Sequence, residues 1–412
     1  MSSGQVALAL TLALLSPTRT DATACHRGWS FFWENDSRLW TLKRPNTDRY
    51  YTNGLRLNVS WTDTSAGSSG CAPRIVNALA LPKPAVWLVR HSGWLHAGPS
   101  TDVVVDTGFL LGQNQYTPTD LLRTTLNPDE RPFGAWLYAG FTTAARPRAN
   151  PQFLYYTEWD LGVVGPAAGG RAAQSFAHRI FNAFGAHAPL HPTWNHQIKN
   201  EPALVARLRL SRRLVDWAAT SPATKWGRRL DLIGTVDLAA GNVFDYAQGA
   251  ATLRIGYNLD NELGGDRTIP KIANELTAGL VGSPPGITAP PAPLRGIVFL
   301  PPSGLPDYRP GHDKWELYGF VHAEGRGVLR NIFLDGNSYR TGYEGLSFHE
   351  AYLIRTKRGV SELEVGAALR LKRLKITWRR VWQRPDFVPT RLGAPAPVTF
   401  LFGSWNFSYS RR

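Results

Sequence analysis

Between Leu55 and Trp61 the chain alternates without a miss. Leu55, Leu57, Val59 and Trp61 are apolar, and Arg56, Asn58 and Ser60 between them are polar. A period of two places these sets on opposite faces of a β-strand, so the two faces meet different solvents. The pattern recurs. Leu204, Ala206, Leu208 and Leu210 flank Arg207 and Arg209, and Val365, Ala367, Leu369 and Leu371 alternate with Glu364, Arg370 and Lys372. At the C-terminus Leu401, Gly403, Trp405, Phe407 and Tyr409 oppose Ser404, Asn406 and Ser408, with Ser410-Arg411-Arg412 beyond the last aromatic. About twelve such runs are found, near 28–36, 53–62, 103–113, 134–145, 153–164, 202–213, 229–239, 249–259, 315–329, 359–371, 373–382 and 399–409.

Residues 1–24 read as a secretory signal peptide. Val6 to Leu15 is an apolar run too short to span a bilayer, and Ala22-Thr23-Ala24 offers a small-residue cleavage site before Cys25. No other segment approaches the roughly 18 apolar residues of a spanning helix. A membrane-embedded exported chain must then close its strands into a barrel, because lipid leaves unpaired backbone unsatisfied. The expected fold is therefore all-β: one transmembrane antiparallel β-barrel of about twelve strands over 25–412, with a helix in an extracellular loop. The 15 Trp, 14 Tyr and 18 Phe suit its interfacial girdles.

An even strand number keeps both termini in the periplasm. Residues 37–52, 114–133 and 165–201 then face outside. The connections 63–102 and 260–314 fall on the periplasmic side, where turns are usually short. Cys25 and Cys71 share that side, where a disulfide can form. The net charge of +15 suits a phosphate-rich partner such as lipopolysaccharide, or reflects a plain arginine bias. Export argues against nucleic acid.

The outside loops concentrate polar residues: Asn35, Asp36 and Thr52 in the first; Gln113, Asn114, Tyr116, Thr117, Arg123 and Arg131 in the second. In the third, a Gly/Pro-rich turn at 165–170 opens a helix from about Arg171 to Phe184. On it Gln174, His178 and Asn182 share one face, while Phe176, Ile180 and Phe184 share another. Each residue also has an ordinary structural reading. Asp36 can cap a strand or pair with Arg49, Arg131-Pro132 can staple loops, Arg123 can be a surface charge, and His178 can be simply solvated. Parity, however, puts them all on one rim. No Gly-x-Ser-x-Gly, His-Glu-x-x-His or Cys/His cluster is present. A histidine, a carboxylate and neutral oxygen donors remain. Hard oxygens suit calcium, which stabilises an ester oxyanion, and a neutral imidazole can deprotonate water. That chemistry is a metal-assisted ester hydrolase without a serine nucleophile.

These residues resemble the LpxR family of outer-membrane lipid A 3′-O-deacylases. The resemblance rests on Glu34-Asn35-Asp36, Thr47 to Gly54, Gly112-Gln113 with Tyr116-Thr117-Pro118, and Arg131-Pro132-Phe133 with Ala135-Trp136-Leu137. It continues through Gly162 to Pro166, Gln174 to His178, Gln197 with Asn200-Glu201-Pro202, Gly241-Asn242, Asn331 to Gly336 and the last strand. The resemblance implies a twelve-stranded, calcium-dependent, monomeric barrel that removes the 3′-linked acyloxyacyl group of lipid A. By position, Asn35 and Asp36 fall at the metal and oxyanion region, with Asp36 the metal ligand. Thr52 and Gln174 join them, His178 is the base, and Arg123 and Arg131 contact lipid A phosphates. A second acidic ligand is not identifiable near Phe184, Glu201 being the nearest acid, and the two long connections depart from the best-known members. The rival readings are an outer-membrane phospholipase, for which Ser175 is poorly spaced, and a non-catalytic channel or adhesion scaffold.

Overall fold

The computed structural model describes residues 25–36, 49–63, 71–92, 103–147, 152–183, 185, 188–219, 228–257, 259, 315–338, 343 and 345–411. The signal segment, Phe184 and the 260–314 connection lie outside them. Twelve antiparallel strands close into a barrel. In chain order they are β1 (Cys25–Asn35), β2 (Tyr50–Asp63), β3 (Val103–Thr117), β4 (Gly134–Pro147), β5 (Phe153–Val164), β6 (Glu201–Ala219), β7 (Arg228–Gly241), β8 (Phe244–Tyr257), β9 (Trp315–Asn331), β11 (Gly359–Leu371), β12 (Leu374–Gln383) and β14 (Phe400–Arg411). Two short strands, β10 (Ile354–Thr356) and β13 (Phe387–Pro389), pair outside the wall. The barrel shuts where β1 meets β14, with Trp33 opposite Trp405 and Trp29 opposite Tyr409.

All twelve expected strands are present, most within a few residues. The largest shifts are in β6, which runs on to Ala219, and in β8, which begins at Phe244 because its turn from β7 is tight. Asn242 Oδ1 accepts from Leu204 N at 2.8 Å, and Gly241 N donates to Asp245 Oδ1 at 2.6 Å.

The alternation sorts outside from inside. Leu57 and Leu111 are exposed on the outer wall, while Arg56, Asn58 and Ser60 are buried within. The inverted pattern of a soluble protein is what a lipid solvent demands. The arginines that raise the net charge largely enter the lumen, where acids meet them. Arg56 and Arg207 reach Glu158 at 3.0 and 3.4 Å. Arg209 pairs with Asp237 at 2.5 Å, and Arg213 and Arg254 share Asp231. Arg326 bridges Glu324 and Glu362, each at 2.9 Å. The lumen is thus filled by paired side chains.

The end carrying both termini is the periplasmic end. At the opposite, loop end a plug closes the lumen. Two short helices, Ile332–Asp335 and Phe348–Ala351, sit with β10 and β13 over the mouth. Phe333 inserts among Tyr116, Trp136 and Phe244, stacking on Tyr116 at 4.3 Å. At the periplasmic end, part of the 63–102 connection folds into α1 (Arg74–Ala80) and α2 (Pro82–His91). Cys71, just before α1, is disulfide-bonded, and the chain holds one other cysteine. No described helix is long and apolar enough to cross a membrane.

Candidate active site on the outer barrel wall

Near the loop end, β1, β2 and β3 break their own rule. Positions whose parity points outward turn polar. Asn35 pairs with Asn53, and Asn53 with Gln115, so three amides form one row across three strands. One step toward the periplasm the row is Trp33, Leu55 and Gln113. Amides facing hydrocarbon would each cost several kcal/mol, on the order of 4–8 in a medium that cannot hydrogen-bond. The chain covers them with a helix instead.

That helix, α3 (Gly170–Ala183), follows a 3-10 turn at Pro166–Ala168. Gly165 launches the turn with φ of 93°, and a Cβ there would meet the Lys199 carbonyl at 2.5 Å. Gln113 Nε2 then donates to Ala168 O at 2.6 Å, tying the start of the helix to the outer wall. Gly170 packs so tightly that a Cβ would sit 2.4 Å from the Trp194 indole and 2.7 Å from Ala135. At the far end Phe181 stacks on Trp33 at 5.6 Å and joins a cluster with Trp405. The helix therefore slants across the outside of β4, β3, β2 and β1, from the Ala135 level to the Trp33 level. Its buried face holds Gly170, Gln174, Ala177, His178 and Phe181, while Phe176 is 64% exposed toward the surroundings. The polar row on this helix meets the wall and the aromatic points away.

His178 lies three residues before Phe181, about 4.5 Å along the axis. Asn35 is the next outward position after Trp33, roughly 7 Å up the strand. These offsets put His178, on the buried face of the helix, at about the height of the amide row. His178 Nδ1 lies 2.5 Å from Pro189 O. A carbonyl accepts only, so Nδ1 carries the proton, and in the neutral ring Nε2 is then the acceptor. Asn182 holds the returning segment in place through both Ala188 N and Ala188 O. Gln174 Oε1 accepts from Trp194 Nε1 at 2.7 Å. Gln174 Nε2 and Gln115 Oε1 are buried without a hydrogen-bond partner, two polar atoms set for a guest.

On the wall, Asn35 Nδ2 donates to Thr52 O at 2.9 Å, and Trp33 Nε1 donates to Asn53 Oδ1 at 2.9 Å. Asp36 Oδ2 accepts from Arg49 N at 2.9 Å, so the carboxylate also clasps the neck of the first loop. Thr52 and Thr117 hydroxyls meet at 2.6 Å beside a bulge between Tyr51 and Asn53.

The family model described as outer membrane protein LpxR matches residues 6–410. The chain belongs to the LpxR outer membrane protein family. Among solved structures, LpxR from Salmonella typhimurium is similar with a TM-score of 0.58 at 18% identity, over 93% of this chain and 99% of that one. The β-domain of the Bordetella autotransporter Brka aligns over 94% of this chain and 99% of its own, at 11% identity and a TM-score of 0.36. No curated protein sequence matches the chain. Membership places this barrel in the bacterial outer membrane, as its lipid-facing wall requires.

Asn35, Asp36 and Thr52 stand together at the loop ends of β1 and β2, and Gln174 and His178 lie on the buried face of α3. Arg131 joins neither group: it is buried, paired with Asp386 at 3.4 Å and laid 4.8 Å over the Tyr116 ring. Arg131 thus staples the second loop to the loop before β14. Arg123 stays exposed, its Nε 3.2 Å from Thr125 Oγ1. Replacing Arg131 with alanine strands a buried carboxylate and should cost about 1.5–3 kcal/mol in stability. Limited proteolysis should then cut 384–399 faster.

Oxygen chemistry around Asp36 fits calcium: one buried carboxylate, two amide side chains, a hydroxyl and backbone carbonyls, with no thiolate. The set is poor in charge. Among the described residues no three His, Cys, Asp or Glu converge. Glu201 is held by Asn242 Nδ2 and Ser338 N, and Glu34 takes the Tyr51 hydroxyl.

Asn53, Gln115, Trp194 and Pro189 escaped the sequence reading. Asn53 looked like part of a turn. The usable signal was parity, since Asn53 and Gln115 are polar at positions in the apolar register of their strands.

Proposed function

We propose that the chain is a calcium-dependent lipid A 3′-O-deacylase, hydrolysing the ester that carries the 3′-linked acyloxyacyl group. One observation carries the reading: a buried histidine lies on a helix laid over the outside of the barrel, and a row of buried amides faces outward near its loop end. A lumenal site would suit a soluble solute. A site on the outer wall suits a substrate that is itself part of the membrane.

His178 Nε2 takes a proton from water, and the Pro189 carbonyl holds the ring in the tautomer that permits this. The buried helix face excludes bulk water from the nucleophile's surroundings. Gln174 Nε2 and the amide of Asn35 are the donors that orient the ester. Asp36, with Asn35 and Thr52, would hold calcium, which supplies Lewis-acid stabilisation to the ester oxygen when bound. Arg123 is the exposed cation suited to a lipid A phosphate.

Two observations weigh against the rivals. Ser175 lies off the buried face of α3, which favours water over a serine nucleophile. The paired charges in the lumen disfavour a channel.

Lipid A from cells expressing the chain should lose the mass of the 3′ acyloxyacyl group, and chelation of calcium should abolish that loss. Asp36→Asn should lower activity and raise the calcium needed for half-maximal rate, read by mass spectrometry across a calcium titration. Unaltered lipid A beside cleaved phospholipid would favour the phospholipase reading.

A further inference from the structure

The α1–α2 hairpin is placed where few periplasmic connections go. It does not hang below the barrel but lies against the outside of the wall. Val76 clusters with Cys71 and with the outward residues Val59, Trp61 and Phe109. Ala85 and Val89 cluster with Val103, Val105, Ala145, Phe153 and Tyr155. Thr143 Oγ1 donates to Ala80 O at 2.7 Å, and the Ser92 and Tyr155 hydroxyls meet at 2.5 Å. The hairpin thus occupies the place of lipid over the periplasmic ends of β3 to β5.

Its other side is then the new outer surface there. Ile75, Leu79, Leu81 and Trp87 are exposed at 50, 44, 45 and 59%. Arg74, Lys83 and Arg90 are exposed beside them, and residues 71–92 contain no acid. On α2, Lys83, Trp87 and Arg90 fall one turn apart, with Trp87 stacked on His91 at 4.5 Å. Apolar and indole groups interleaved with cations are the composition of a helix lying in a phospholipid interface. The same end of the barrel carries a girdle elsewhere on its circumference: Trp29 beside Tyr409, and Tyr257 beside Trp315. Over β3 to β5, Phe153 and Tyr155 are buried beneath the hairpin, and Trp87 stands outside in their stead.

We propose that the hairpin is a membrane foot, seated in the inner leaflet of the outer membrane. Ile75, Leu79, Leu81 and Trp87 enter the acyl boundary, and Arg74, Lys83 and Arg90 bind the phosphodiesters of anionic phospholipid. The foot complements the girdle and fixes the height of the barrel in the bilayer.

The test is spin-label depth measurement on the full-length barrel, in vesicles of phosphatidylethanolamine and phosphatidylglycerol. Labels are attached without reductant at Leu79→Cys or Trp87→Cys. Labels at Phe141→Cys on the wall and Leu392→Cys in an exposed loop set the lipid and water limits. Both hairpin labels should resist a water-soluble nickel relaxant and admit oxygen, reading close to the wall label. Lys83→Glu combined with Arg74→Glu should shift the Trp87 label toward the water limit, and replacing phosphatidylglycerol with phosphatidylcholine should shift it in the same direction. Water-like readings at both positions in both lipids would overturn the proposal and leave the face to a periplasmic protein. Spin–spin broadening that disappears on dilution with unlabelled protein would overturn it in favour of a second copy. Heat-modifiable migration checks that each variant is folded.

Discussion

Replacing His178 with alanine should reduce deacylation by about 10²–10⁴-fold, the usual contribution of a positioned general base. The barrel should be unaffected. His178 belongs to a helix laid on the wall and is a member of neither the strand ladder nor the lumenal ion pairs described above. Phe181 on Trp33 and Gly170 against Trp194 would still dock the helix. The readout is a time course of lipid A mass spectra, with heat-modifiable migration reporting the fold. An unchanged rate in a folded variant would refute the assignment of the base. Failure of calcium chelation alone would leave the base standing and remove the metal.

The second large effect is on stability. Glu158 lies on the lumenal face of β5, fully buried, between Arg56 at 3.0 Å and Arg207 at 3.4 Å, with the Tyr156 hydroxyl also bonded to it. Glu158→Ala leaves two buried guanidinium groups without that carboxylate and should cost about 3–5 kcal/mol. The denaturant midpoint of the vesicle-inserted barrel should fall accordingly. Deacylation by the folded fraction should persist, because the site and this pair lie on opposite faces of the wall. An unmoved midpoint would mean that lumenal water solvates the arginines without help from Glu158.

The strands were legible because a barrel wall separates two solvents at every residue. Leu55 to Trp61 could be read straight off as alternate lipid and lumen positions, and the register bears this out. Parity likewise collected Asn35, Asp36, Thr52 and His178 onto one rim. What the pattern could not supply was which side of the wall the site occupies. That depends on α3 crossing four strands, fixed by long-range contacts such as Phe181 with Trp33. Pro189 and Trp194 were invisible for the same reason: they orient His178 and Gln174 from a segment with no periodicity of its own. Arg131 has the composition of a phosphate ligand, and only its burial against Asp386 shows it to be a staple. The positive charge of the sequence was ambiguous in the same way, since the lumen absorbs arginines that composition alone assigns to a partner.

The docking of Phe181 has a consequence for biogenesis. Its ring sits beside Trp33 from the first strand and Trp405 from the last. Those two residues become neighbours only when β1 and β14 zip together. Before that moment the helix has half a berth. An unfinished barrel, still open at its seam, cannot hold α3 against both edges, so on the proposed function deacylation should begin only once the circumference is complete.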